Sequence, residues 1–163
     1  MKEQEDSSLD IAIEKLISIM PLLSKNLKGF IRTKSNLSPG SVFVCAALNH
    51  HGKLSMSGIG AHLAVPKPHV TSLVDKLIDD ELAERLYDPN DRRVINIQLT
   101  EKGKAAFNAI KKEVHNEFKQ KLEFLNKEQV ENLAASAAVV QETLIQILRN
   151  QSATATDKCH DEL

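Results

Sequence analysis

The sequence predicts a mainly α protein with a small antiparallel β-hairpin: a winged helix-turn-helix joined to a helical dimerisation lobe. Three observations predict it. Apolar residues recur at helical spacing over most of the 163 residues. Between Ser55 and Leu77 a short helix, a proline-marked turn and a second helix follow without a gap. Directly behind them, two alternating stretches flank the turn Asp88-Pro89-Asn90-Asp91, which leads into paired Arg92 and Arg93.

The first eight residues are polar and expected to fray. From Leu9 the apolar positions fall at Leu9, Ile13, Leu16, Met20, Leu23, Leu27 and Phe30, a seven-residue stripe on one helix face. Pro21 inside it lacks a helical donor and crowds the preceding turn, which predicts a kink. This helix should end near Thr33-Lys34-Ser35-Asn36. Ser38-Pro39-Gly40 reads as a cap and proline start for a second helix, apolar from Val42 to Leu48 and ended by Gly52. Lys53-Leu54-Ser55 reads as a short extended link. A helix over 57–63 and another beginning at Pro66-Lys67-Pro68 make the helix-turn-helix. In the second of these, Val70, Leu73, Val74 and Leu77 face the core and His69, Thr71, Ser72 and Lys76 are left outward. Strands are predicted over 82–87 and 93–99, the latter with Ile95, Ile97 and Leu99 on one face. Thr100 caps a long helix, and Asn126 with Gln129 resembles a capping box for the last one. From Ser152 the chain turns polar and disorder is expected.

Composition narrows the function classes. Apolar and charged fractions of 42% and 26% are those of a soluble globular protein. No apolar run approaches the roughly 20 residues of a membrane span. The acidic, polar N-terminus is unlike a signal peptide, so the terminal His160-Asp161-Glu162-Leu163, though it spells a retention signal, is read as coincidence. Two cysteines make no disulfide framework, and a cytoplasmic setting is expected. Net charge is −1, yet no acidic residue lies between Glu14 and Asp75, where seven Lys/Arg and four His fall. Such a one-sided field suits phosphate.

The residues that carry chemistry point to DNA. Lys67, His69, Thr71, Ser72 and Lys76 form an outward set on the second helix of the turn motif: lysine for phosphate or guanine, histidine for an acceptor, hydroxyls for base edges or phosphate. Of Arg92 and Arg93, one can enter a narrow minor groove and the other can hold the wing by pairing with Asp91 or Asp75. The bland alternative for both sets is a solvated surface. Cys45 sits in an apolar run that favours an inert thiol. His50-His51 has no third ligand at usable spacing, so no metal site is read. No catalytic motif, cofactor or enzyme activity is expected.

With these residues the chain resembles the MarR family of winged-helix transcription regulators over about residues 9 to 150. The resemblance rests on Leu63-Ala64-Val65 through Leu77, Asp88 through Arg93, and Leu99-Thr100-Glu101-Lys102-Gly103. It implies a homodimer on a pseudo-palindromic DNA duplex. It also implies a possible small-molecule effector, often a lipophilic anion, entering between lobes. Other members of the family sense oxidants through a cysteine, or zinc. It favours Arg92 as the groove residue and Arg93 as the structural one. Pro66, His69, Ser72, Glu81 and Asn90 depart from the family pattern and bear on which DNA sequence is read. The expected organisation is 9–34 and 104–150 as dimerisation lobe, 38–103 as DNA-binding domain and 151–163 as tail. The competing reading is a winged-helix protein-interaction module that does not touch DNA. Effector residues are not legible in the sequence.

Overall fold

The computed structural model describes residues 2–87 and 95–157. In order these form α1 (Lys2–Lys34), α2 (Pro39–His51), β1 (Lys53–Ser55), α3 (Met56–Leu63), α4 (Lys67–Asp79), β2 (Ala83–Tyr87), β3 (Ile95–Leu99), α5 (Glu101–Lys121) and α6 (Lys127–Asp157). The fold is mainly α with an antiparallel sheet, as predicted. The sheet, however, has three strands in the order β1-β3-β2 rather than a hairpin alone. Gly52, at φ +77°, donates to the Leu48 carbonyl and turns the chain out of α2. The supposed link then falls beside the open edge of β3, with Leu54 opposite Ile97.

Each helix start has a local cause. The Ser38 side chain accepts from the Ser41 N–H and Pro39 follows with its φ already helical. Ser55 accepts from the Gly58 N–H to start α3. Thr100 accepts from the Gly103 N–H at 3.0 Å and donates to the Glu81 carbonyl at 2.8 Å, which ties α5 to the end of α4. Asn126 and Gln129 exchange backbone and side-chain bonds of 3.0 and 2.9 Å, a complete capping box.

The residues divide into two compact units at Glu117/Phe118. In the first, Ile31, Val44, Leu48, Ile59, Val70, Val74, Leu77 and Ile97 are buried together, with Phe107, Ile110 and Val114 of α5 packed against them. Most of the α1 stripe is not in this core. Leu9, Ile13, Met20 and Leu23 are exposed, and only Phe30 at its end is buried. The second unit holds the capping box and α6, whose Val130, Leu133, Val139 and Leu144 are exposed.

The N-terminal end differs from expectation. Residues 2–8 are helical, since α1 starts at Lys2 and no glycine or proline interrupts it before Pro21, which lies inside the helix. At the other end α6 runs to Asp157, into the segment from 151 read as a tail, whose last residues lie outside the described ones. Adding a residue to an existing helix is far easier than nucleating one, and Gln-Ser-Ala-Thr-Ala-Thr-Asp contains no residue that stops it.

Candidate nucleic-acid interface

α4 is amphipathic in the predicted sense. Val70, Leu73, Val74 and Leu77 are buried, and Lys67, His69, Thr71, Ser72 and Lys76 are exposed. The turn before it is made by Ala64, which adopts a left-handed conformation at φ 51° and closes α3 through bonds to the Gly60 and Ala61 carbonyls. Pro66 then stands at the cap of α4 with no side-chain bond to the helix. No acidic residue lies in the first turn of α4, and Lys67 stands beside its positive dipole end, a setting that suits phosphate.

The five outward residues do not form one cluster. Lys67, His69, Thr71 and Ser72 occupy the first half of α4. Lys76 lies in its last turn, about 13 Å along the axis from Lys67, with its ammonium 4.0 Å from Asp80. It lines a cavity of about 560 Å³ whose walls include Lys34, Lys102, Leu37, Leu82 and Ile110. The Thr71 hydroxyl donates to the Lys67 carbonyl at 3.1 Å. Its donor is thus engaged within the helix, whereas it can still accept.

Arg92 and Arg93 lie outside the described residues, as does the turn over 88–91. The Asp75 carboxylate, one partner considered for Arg93, accepts from Arg85 Nη2 at 2.6 Å. This half-exposed pair links β2 to α4. Sequence reasoning missed it because Arg85 reads as an ordinary outward residue of an alternating strand. It also missed His62, whose ring stands 5.1 Å from that of His51, itself 4.7 Å from His50. Among the described residues no His/Cys/Asp/Glu group is placed to hold a metal ion. Cys45 is buried, and loss of solvation pushes its thiol up to about 11, against a smaller lowering by a backbone hydrogen bond. At neutral pH it is protonated and unreactive.

A model of the MarR family matches residues 37–95, the span from the start of α2 to β3. The HTH-type transcriptional regulator MhqR of Bacillus subtilis is 35% identical over 98 residues, which cover 60% of this chain and 68% of MhqR. The chain belongs to the MarR family. As a MarR-family protein it is a DNA-binding transcription regulator and not an enzyme. It is also 29% identical over 109 residues to the HTH-type transcriptional repressor MdtR of Bacillus subtilis, covering 66% of this chain and 67% of MdtR. A MarR family protein from Bacillus stearothermophilus shares the fold at a TM-score of 0.71 and 17% identity, over 86% of this chain and 97% of that one. No described helix of this MarR-family protein is long and apolar enough to cross a membrane.

Proposed function

We propose that this MarR-family protein is a cytoplasmic homodimeric repressor that binds a pseudo-palindromic DNA duplex and is released by a small ligand. The observation that carries the DNA-binding part is α4. Its apolar face is locked into the core while Lys67, His69, Thr71 and Ser72 stay exposed at an uncapped helix end. Within this reading, 38–103 reads DNA, with Arg92 in a minor groove and Arg93 holding the wing, and Lys76 contributes from the far end of α4. The segments 9–34 and 104–150 form the dimerisation lobe. The exposed Leu9, Ile13, Met20 and Leu23 of α1 supply the surface a second copy would cover. Repression is supported by the resemblance to MdtR. Ligand release is supported by the cavity lined by Lys34, Lys76 and Lys102 with one carboxylate, Asp80, whose Leu37, Leu82 and Ile110 suit the apolar body of an organic anion.

Mobility-shift titration at two salt concentrations tests the reading. Binding that falls steeply with salt supports phosphate neutralisation by the basic face. No binding to the DNA flanking the gene, at either concentration, overturns it in favour of a protein-interaction module.

A further inference from the structure

We propose that Tyr87 contacts DNA, its hydroxyl donating to a backbone phosphate at the edge of the groove that α4 enters; this rests on the DNA-binding reading of α4. Between Leu23 and Leu122, Tyr87 is the one large hydrophobic side chain that is exposed among the described residues, at 64%. The phenylalanine rings described in that span, Phe30, Phe43, Phe107 and Phe118, are buried or half-buried. An aromatic ring left out of an otherwise closed core is informative where it lies beside a polar recognition surface.

Its place in the fold supplies that surface. Ala83, Arg85 and Tyr87 alternate onto one face of β2, opposite Leu99, Ile97 and Ile95. That face is linked to the second half of α4. The Leu82 N–H donates to the Leu77 carbonyl at 2.8 Å, and Arg85 then reaches Asp75. Two residues further along the strand, about 6.6 Å, comes Tyr87. One turn back along the helix from Asp75, about 6 Å, comes Thr71. Tyr87 is therefore the next side chain on the strand face that reaches α4 at Asp75. A helix lying in a major groove has a row of phosphates along each side. A phenol on that flank offers a hydroxyl donor to a phosphate and a flat ring to the sugar next to it.

This contact has a signature that a lysine lacks. The hydroxyl is neutral, so it displaces no counterion, and its loss lowers affinity without changing the salt dependence. The chain holds one tyrosine and no tryptophan, so tyrosine emission from the whole protein reports Tyr87 alone. Because a phosphate contact ignores sequence, a mixed-sequence duplex at low salt serves as the probe. Emission should change with the same midpoint as the mobility shift. Tyr87→Phe should weaken binding about tenfold, with an unchanged slope of log affinity against log salt and an unchanged melting temperature. Tyr87→Ala should weaken it further. If the complex forms but emission stays constant, or if Tyr87→Phe binds like the parent, the proposal is wrong while the reading of α4 stands. If the parent binds no duplex, the reading of α4 fails and Tyr87 loses its partner with it.

Discussion

A methyl group at Gly103 would run into the Leu82 carbonyl oxygen. The obstacle is backbone rather than a flexible tip, so relief requires the start of α5 and the start of β2 to separate. Gly103→Ala should therefore cost about 3 kcal/mol, the upper part of the range for an overfilled site, read as a lowered urea midpoint. Glu81 shows a different strain. It holds φ at 61°, where a Cβ is unfavourable, because its carbonyl and the Leu82 amide must close α4 onto Thr100 and Leu77. Glu81→Gly should raise the melting temperature, since glycine reaches that conformation freely. The ion pair it gives up is solvent-exposed and contributes little. A hydrogen bond from Lys102, and then its charge, hold the Glu81 carboxyl below its ordinary value. A depressed folded value stabilises above the unfolded one and is lost as pH falls through the folded one. Melting of the parent and of Glu81→Gln from neutral to acid pH should show any advantage of the parent vanishing below the usual carboxylate range.

Helix ends respond to substitution in ways the sequence already announces. Asn126→Ala removes one arm of the capping box at the start of α6, and a loss of about 1 kcal/mol should appear in chemical unfolding. On α4 the expected effects differ in kind. Lys67→Ala should weaken every duplex alike and shallow the salt slope by about one unit. His69→Ala and Ser72→Ala should change preference among sequences, by about 1–3 kcal/mol wherever a good base contact is lost; unchanged binding in all three removes α4 as the reader. Caps and the inward face of α4 were legible because they depend on residues three or four apart. The third strand was not, since Lys53–Ser55 pairs with residues some forty positions on and carries no alternation of its own. The Arg85–Asp75 pair, the approach of His62 to His51 and the placing of Tyr87 were hidden for the same reason. The end of α6 was hidden because polar residues exclude a core without excluding a helix.

For the molecule as a whole, the proposed dimer predicts a clean separation of effects. Met20 and Leu23 are exposed on α1 and lie outside the winged unit's core. Met20→Glu with Leu23→Glu should shift sedimentation toward the monomer while circular dichroism keeps its helical signal; an unchanged dimer would remove α1 from the interface. Arg92→Ala should lower DNA affinity strongly at constant melting temperature, and Arg93→Ala should lower both. The thiol of Cys45 offers one further use. It is sealed among Val42, Val44 and Leu48 and held in its unreactive form, so a disulfide reagent can attack it only when that region opens. With Cys159 replaced by serine, the rate at which Cys45 is labelled in native buffer becomes a stopwatch for breathing of the DNA-reading half. Slowing of that rate by added duplex, measured against duplex concentration, would give the binding constant without touching a single residue of the interface.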